Sequence, residues 1–253
     1  MTFPVTIPIG ENQVHLHFIC ELLAYSVGFQ YYLYLRKNAQ DLISDEHRLW
    51  IFVGAAAGGF FGGHILGVLE NPTYWQMITW RNFPFYFMGN KTVVGGFLGG
   101  LIGVEFTKKR LGVTTSSGDL MVFPMMLGTI LGRIGCFLEG IHDGTHGTAS
   151  TLPWAIDFGD GMRRHPAPLY EILFLTLLWL SIIYLEKELT LSNGSRFKIY
   201  LSGYLLFRFF SEFIKPVYFF EFGLSVIQLA CLAGLVYYWR IFWMPTQLVE
   251  QRN

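Results

Sequence analysis

Charged residues are scarce in this chain. Only 14% of its 253 residues are Asp, Glu, Lys or Arg, whereas 52% are hydrophobic and 17% are aromatic. Soluble domains contain about 25% charged residues, so this composition argues against a water-soluble globular protein. Neither sign of charge is in excess, because the formal net charge is zero. The charge balance therefore gives no indication of nucleic-acid binding.

Cysteine is scarce as well. Cys20, Cys136 and Cys231 are far apart, and each lies in an apolar stretch. This spacing fits neither a disulfide framework nor a zinc site built from paired cysteines, so we expect free thiols. The chain also lacks a linker, a low-complexity tract and a clear repeat. We therefore predict a single polytopic membrane domain over residues 1–253.

Long apolar segments are what the chain has in abundance. Seven of them approach the roughly 20 residues that a membrane-spanning helix needs. We place them near residues 16–35, 49–69, 84–106, 119–139, 168–186, 199–215 and 222–243. The third is the least regular, because Gly89, Asn90 and Lys91 interrupt it. Glycines are concentrated in the second, third and fourth segments, where they would let helix backbones approach closely. The sequence predicts an all-α integral membrane protein with about seven transmembrane helices.

The basic residues predict an orientation. Eleven of the 18 fall in the first, third and fifth connections or at and after the end of the last segment: Arg36, Lys37, Arg48, Lys108, Lys109, Arg110, Lys187, Arg196, Lys198, Arg240 and Arg252. Connections rich in Lys and Arg face the cytoplasm. With an odd number of spans, the N-terminus would lie outside and the C-terminus in the cytoplasm. The long connection over residues 140–167 would also lie outside.

Two arginines lie inside predicted spans. Arg133 lies in the apolar stretch 127–138, and Arg208 lies in the stretch 204–213. An arginine at the centre of a membrane helix costs about 3 kcal/mol on insertion scales, so it normally faces a polar cavity or a partner. Its planar, permanently charged guanidinium suits phosphate and carboxylate groups. The two arginines predict an anion site within the bilayer.

The neighbours of these arginines also allow structural interpretations. Glu212 follows Arg208 by four residues on the same helix face, and Tyr204 precedes it by four. A buried ion pair that neutralises itself would explain Arg208 and Glu212 as well as a functional role would. Asp119 lies at the opposite end of the span that contains Arg133. We expect it to cap the N-terminus of that helix.

The connection after the fourth segment contains further candidates. Residue types that bind metals occur there and just before it, namely Cys136, Glu139, His142, Asp143 and His146. Their spacing matches no established zinc motif, so we predict no metal. His165 precedes Pro166 at the start of the fifth segment. It could transfer a proton, or it could pin the connection to the start of the helix.

Four segments together resemble the prolipoprotein diacylglyceryl transferase family. The most specific is Gly132-Arg-Ile-Gly-Cys-Phe137, which is similar to the family's GRxGNF signature. The others, in the same order as in the family, cover residues 99–103, 164–171 and 208–212. The resemblance implies seven transmembrane helices in a multi-pass protein of the bacterial inner membrane. It also implies transfer of the diacylglyceryl group of phosphatidylglycerol to the lipobox cysteine thiol of preprolipoproteins, with release of glycerol phosphate. The expected partners are these two substrates and membrane lipids, with no cofactor and no nucleic acid.

The resemblance also implies roles for single residues. Arg133 would hold the phosphatidylglycerol headgroup, and Arg208 with Glu212 would lie near the reacting bond. Family positions are also occupied by Asp119, Gly144, His165, Glu171 and Tyr204. The predicted catalytic set is Arg208, Glu212, Glu21 and His165. The predicted substrate-binding set is Arg133, Cys136, Glu139, Gly144, Tyr204 and Asp119.

Five positions differ from the family pattern. Leu98 replaces a histidine, Cys136 and Glu139 replace asparagines, Glu21 replaces a tyrosine, and Lys215 replaces an arginine. Loss of the histidine removes a candidate thiol activator, for which Glu21, Glu139 or His142 could substitute. Two alternatives to the standard transfer therefore stay open. One is transfer of a lipid group to a different thiol or hydroxyl acceptor, and the other is a catalytically idle phospholipid-binding membrane protein.

Overall fold

Helices dominate the computed structural model, which describes residues 3–10, 12–39 and 41–250. The described residues form α1 (Leu16–Asn38), α2 (Asp45–Glu70), α3 (Pro72–Met77), α4 (Phe83–Gly89), α5 (Val93–Leu111), α6 (Val122–Glu139), α7 (Ala167–Glu188), α8 (Ser195–Ser211), α9 (Val226–Tyr237) and α10 (Trp239–Trp243). Short 3₁₀ turns cover Asp119–Met121, Gly140–Asp143, Glu212–Ile214 and Pro245–Leu248. Two antiparallel hairpins pair β1 (Thr6–Ile9) with β2 (Asn12–His15) and β3 (Ile156–Asp157) with β4 (Arg163–Arg164).

Several helices are long and apolar enough to cross a membrane. Three segments qualify individually: Asp45–Glu70, Asp119–Asp143 and Ala167–Glu188, with mean hydropathies of 1.6, 1.7 and 1.8. Helices α4 and α5 qualify as one span bent by 97°. These correspond to the second, fourth, fifth and third predicted segments, so a helical membrane protein is confirmed. Helix α8 has 17 residues and α9 has 12, fewer than the roughly 20 of a simple crossing. The count of seven spans stays a prediction.

The interruption of the third segment is confirmed. Helix α4 ends at Gly89, the chain turns through Asn90 and Lys91, and α5 starts at Val93. Thr92 caps α5, since its hydroxyl accepts a hydrogen bond from the backbone N–H of Gly95. Asn90, which favours turns over helix interiors, and a nearby glycine make this break locally favourable.

Glycines bring α2 and α5 into backbone contact. A Cβ atom built on Gly58 or Gly99 would overlap the carbonyl group of the other residue. Without side chains at these positions the two helices pack more closely than larger residues would allow, as is common in membrane bundles. The predicted close approach is confirmed for this helix pair.

The buried core lies between α6, α7, α8 and α9. Its largest fully buried side chains include Met126, Leu175, Tyr200, Tyr204 and Leu205. Many large apolar side chains on the outer faces are exposed, such as Leu177 and Leu180 of α7. An inward-facing core with an apolar exterior is the arrangement that lipid surroundings favour.

The connections rich in basic residues meet at one end of the bundle. Arg48 at the start of α2 donates a hydrogen bond of 2.9 Å to the carbonyl oxygen of Ser117, just before α6. At the same end, Arg196 at the start of α8 pairs with Glu186 near the end of α7, at 2.5 Å. The C-terminal segment joins this end, where Ser192 donates its N–H to the carbonyl oxygen of Leu248.

Asp119 has a different role from the predicted one. Its carboxylate accepts hydrogen bonds from the backbone N–H groups of Gly194, at 2.6 Å, and Phe197, at 2.8 Å. It therefore caps α8 and not its own helix, which starts with the 3₁₀ turn Asp119–Met121. The first N–H groups of a helix lack partners within the helix, and those of α8 point at Asp119. The prediction of a cap was right in kind but wrong about the helix.

Candidate functional site

Arg133 is held by a glutamate of the neighbouring helix. Its Nε atom lies 2.9 Å from Oε2 of Glu171, which is near the start of α7. Both residues are buried, with 8% of Arg133 and 3% of Glu171 exposed. The approach is that of an ion pair, and the Nε–H group makes no hydrogen bond within the described residues. Arg133 thus has a neutralising partner, and a guanidinium has five N–H donors, so others are left beyond this contact.

Tyr204 joins this pair from α8. Its hydroxyl donates a hydrogen bond of 2.8 Å to Oε1 of Glu171. One carboxylate therefore contacts Arg133 through one oxygen and Tyr204 through the other. This arrangement links α6, α7 and α8 at the centre of the bundle.

Arg208 is paired with Glu212, as its sequence position predicted. Nη2 of Arg208 donates a hydrogen bond of 2.8 Å to Oε2 of Glu212, which is fully buried. Nη1 of Arg208 donates to the hydroxyl of Ser211 at 3.3 Å. The hydroxyl of Ser225 donates to the other oxygen of Glu212, at 3.4 Å. A guanidinium has five N–H donors, so Arg208 keeps donors beyond these contacts.

The two arginines lie along one buried polar chain. Tyr204 and Arg208 are four residues apart in α8, so they share a face and are separated by about 6 Å along the axis. Contacts run from Arg133 through Glu171 to Tyr204, and Arg208 follows one helical turn later on the same face of α8. Both arginines lie in the half of the bundle away from the basic end, because α6 and α8 each start at that end.

The substituted positions near Arg133 are already paired. Sγ of Cys136 lies 3.7 Å from Nη1 of Arg133. Glu139, one turn later, lies 2.8 Å from Nδ1 of His15. Glu21 lies 2.9 Å from Nζ of Lys91. Within the described part of the chain, Glu21 and Glu139 make no hydrogen bond or ion pair with either arginine.

His165 pins the connection over residues 140–167 to α7. Its Nδ1 lies 3.2 Å from the hydroxyl of Tyr170, and its backbone exchanges hydrogen bonds with Gly147 and Thr148. These contacts fit the structural interpretation of this histidine. Gly144 follows the 3₁₀ turn after α6 with a left-handed φ of 69°, which favours glycine. Asp119 lies at the other end of the bundle from Arg133.

Leu98, where the resemblance predicts a histidine, is partly buried and packs against the apolar core. A Cβ atom on Gly234 of α9 would lie 2.8 Å from a methyl group of Leu98. The side chain therefore extends from α5 toward α9 and packs on the apolar core. No proton-transfer group occupies this position.

Glu171 is the partner of Arg133 that the predicted site sets omitted. The sequence contained a signal for it, since an acidic residue in the early turns of an apolar helix has to be neutralised. Its position alone did not identify which cation it meets, because that depends on how α6 packs on α7.

An apolar groove runs between α7 and α8 beside Arg208. Its volume is about 450 Å³. It is lined by Tyr170, Phe174, Gly203, Leu206, Phe207, Phe210, Ser211 and Ile214. Ser211 is also a hydrogen-bond partner of Arg208, so the groove adjoins the polar chain.

Fold and site together define a class of protein: a helical membrane protein with two buried arginine–glutamate pairs in its interior. Comparison with known proteins makes this specific. The family model described as Prolipoprotein diacylglyceryl transferase matches residues 4–244. The chain belongs to the prolipoprotein diacylglyceryl transferase family and is a transferase of that kind, which confirms the resemblance found in the sequence.

Individual relatives have the same printed name, phosphatidylglycerol–prolipoprotein diacylglyceryl transferase. The protein of Campylobacter lari is 29% identical over 233 residues, which is 86% of this chain and 82% of the relative. That of Methylobacillus flagellatus is 28% identical, covering 84% of this chain and 83% of the relative. That of Glaesserella parasuis is 30% identical, covering 84% and 79%.

Proposed function

We propose that this protein transfers the diacylglyceryl group of phosphatidylglycerol to the lipobox cysteine thiol of a lipoprotein precursor. Membership of the family and the names of its relatives support this reaction. The observation that carries the proposal for the site is the buried polar chain from Arg133 to Arg208. It provides two permanent positive charges whose glutamate partners leave donors available.

The phosphate of phosphatidylglycerol would be bound between the two guanidinium groups. Arg133 would contribute the N–H donors that do not face Glu171, and Arg208 those that do not face Glu212 or Ser211. Charge-assisted hydrogen bonds to phosphate are strongest where water is excluded. Glu171 and Glu212 would act as positioning residues, because they orient the arginines without touching the reacting atoms.

The reaction needs stabilisation of a leaving phosphate. The thiol sulfur forms a bond to the glyceryl carbon as the bond from that carbon to the phosphate oxygen breaks. Glycerol phosphate leaves with the electron pair, and the thiol proton passes to a base or to solvent. Fixed positive charge placed where negative charge develops is the largest contribution that such a site can make.

The groove between α7 and α8 suits an acyl chain. Its lining is apolar apart from the Tyr170 and Ser211 hydroxyls, and it adjoins Arg208. A phospholipid with its phosphate at the arginines would extend a chain along this groove toward the surrounding lipid.

We extend the proposal to the topology. Helices α1, α8 and α9, with the four candidate spans, would give seven crossings of the bacterial inner membrane in a single polytopic domain. The meeting of the basic connections at one end supports a cytoplasmic position for that end. The N-terminus would then lie outside and the C-terminus in the cytoplasm, with the arginines in the outer half of the bilayer.

The reaction is tested with purified protein, labelled phosphatidylglycerol and a lipobox peptide. We expect a thioether-linked diacylglyceryl peptide from the wild type. Arg133→Ala and Arg208→Ala should each lower the rate by about 100-fold, the effect of losing one stabilising donor group. Arg110→Ala, which changes an exposed arginine at the other end, should leave the rate unchanged. An active Arg133→Ala, Arg208→Ala double variant would contradict the proposed site.

Transfer to another acceptor is the second candidate. The apolar packing of Leu98 favours it, because the usual position of a thiol activator holds no titratable group. In that case phosphatidylglycerol would be consumed with a small thiol or a hydroxyl compound and not with the lipobox peptide. Phospholipid binding that depends on Arg133, without turnover of any acceptor, would identify the catalytically idle alternative.

A further inference from the structure

Three side chains of metal-binding types meet beside Arg133. His17 lies in the first turn of α1, Cys136 in the last turn of α6, and Asp143 at the end of the 3₁₀ turn Gly140–Asp143. One ligand atom from each lies within 4.8 Å of the other two. Nε2 of His17 is 3.5 Å from Oδ1 of Asp143. His17 is distant from the other two in sequence, which is why no spacing motif was visible.

Helix packing holds His17 next to Cys136. A Cβ atom on Gly135 would lie 2.9 Å from Cβ of Cys20 and 3.1 Å from Cδ2 of His17. The imidazole ring therefore lies directly against the backbone of α6, one residue from Cys136. A larger residue at position 135 would push the ring away.

Asp143 is oriented by a neighbour. The hydroxyl of Thr145 donates a hydrogen bond to Oδ2 of Asp143, and Oδ1 faces His17. Hydrogen bonds of this kind commonly fix the carboxylate ligands of metal sites. The cluster thus has an oriented carboxylate, a held imidazole and a thiol.

The donor set is typical of zinc. Zinc binds thiolate, imidazole and carboxylate at about 2.0 to 2.3 Å, and its catalytic sites use three protein ligands and leave one position open. Ligand atoms around such a tetrahedral ion lie roughly 3.3 to 3.8 Å apart, so shifts of about 1 Å would close the cluster on the ion. Calcium and magnesium prefer oxygen ligands throughout. A zinc ion with one thiolate and one carboxylate forms a site of zero net charge beside Arg133.

We propose that His17, Cys136 and Asp143 bind a zinc-type divalent cation whose open position takes the acceptor thiol. The thiol binds as a thiolate and releases its proton to solvent, since coordination to zinc deprotonates a thiol. Its sulfur then attacks the glyceryl carbon, and glycerol phosphate leaves with the electron pair while the metal is unchanged. This supplies the activation that Leu98 cannot provide. The role in transfer rests on the proposed function, whereas metal binding does not, and it revises the expectation of no metal.

Metal binding is tested with the purified full-length protein and cobalt(II) chloride. We expect one cobalt per chain, with the visible absorption of a tetrahedral site and a sulfur-to-cobalt band in the near ultraviolet. Cys136→Ser should abolish the near-ultraviolet band. His17→Gln and Asp143→Asn should each weaken binding by at least about 10-fold. Cys231→Ser, which changes a buried thiol in α9, should leave the spectrum unchanged.

Two results would overturn the metal site. One is a wild type that binds neither cobalt nor zinc, and the other is a Cys136→Ser variant with an unaltered near-ultraviolet band. Thermal unfolding of each variant without metal shows whether it is folded. If Cys136→Ser does not fold, His17→Gln and Asp143→Asn decide the result through the same titration.

The role in transfer is tested separately by removing zinc with a chelator and adding it back. Transfer to the lipobox peptide should fall at least about 10-fold and return with zinc. Transfer that is unaffected by the chelator would overturn the role while leaving the proposed function intact. Cobalt binding without transfer to any acceptor would overturn the proposed function and leave the metal site intact.

Discussion

Glu171 is the residue on which the arrangement of the site depends. Its carboxylate neutralises Arg133 and accepts a hydrogen bond from the hydroxyl of Tyr204. One side chain therefore connects α6, α7 and α8. A paired glutamate lowers the free-energy cost of placing an arginine in a membrane, because the two opposite charges compensate each other where water is absent.

Removal of Glu171 should destabilise the protein strongly. Glu171→Ala leaves the Arg133 charge buried without its partner, which costs about 3 kcal/mol or more. Reversible unfolding in mixed micelles measures this loss. Glu188→Ala, at the exposed end of the same helix, should change the free energy of unfolding by less than about 0.5 kcal/mol. Equal effects of the two substitutions would contradict the assignment of Glu171.

At the scale of helices, the break between α4 and α5 and the glycine contact between α2 and α5 determine how α5 is placed. The first follows from local sequence, since Gly89 and Asn90 disfavour a continuous helix. The second requires that glycines of two separate helices face each other. The sequence showed that these glycines were numerous, but only the packing showed which of them touch.

Substitution of Gly99 tests this contact. Gly99→Ala places a Cβ against the backbone of Gly58, so the helices have to separate and the protein should lose about 1 to 3 kcal/mol. Gly89→Ala is the matched control, because a Cβ there meets open space. The free energy of unfolding, measured under the same conditions, should therefore fall more for Gly99→Ala than for Gly89→Ala. A neutral Gly99→Ala would contradict the close packing.

Asp41 links the end of α1 to the start of α2. Its carboxylate accepts hydrogen bonds from Arg36, at 2.9 Å, and from Arg48, at 3.0 Å. Burial alone would raise the pKa of Asp41, but the hydrogen bonds from Arg48, the backbone of Ile43 and Arg36 outweigh it and hold the pKa below its usual range. The connection between the two helices is therefore sensitive to acid.

The pH dependence of stability should reflect Asp41. A carboxyl whose pKa is lower in the folded state stabilises that state fully when the pH is above its pKa in the unfolded chain, which is about 3.9. This contribution disappears as the pH falls through the folded-state pKa. Asp41→Asn should therefore be less stable than the wild type at pH 6, and the difference should shrink toward pH 3. Unfolding free energies at both pH values provide the comparison, and a constant difference would count against the ion pair.

For the whole molecule, the clustering of basic connections at one end suggests how the protein lies in the membrane. Impermeant thiol reagents applied to intact cells test the proposed orientation. Asp160→Cys, in the connection over residues 140–167, should react from outside, and Lys109→Cys should react only after the cells are opened. The wild type, whose three thiols are partly or fully buried, gives the background. The opposite labelling pattern would invert the topology.

The sequence alone was sufficient to identify a helical membrane protein, its family, the two buried arginines and the pair of Arg208 with Glu212. These properties depend on composition, on the order of local motifs and on helical spacing, which are all short-range. Glu171 as the partner of Arg133, Asp119 as the cap of α8, and the meeting of His17 with Cys136 and Asp143 depend on contacts between helices far apart in the chain. Only the tertiary structure decided these, because helix packing sets which buried charges and ligands face each other.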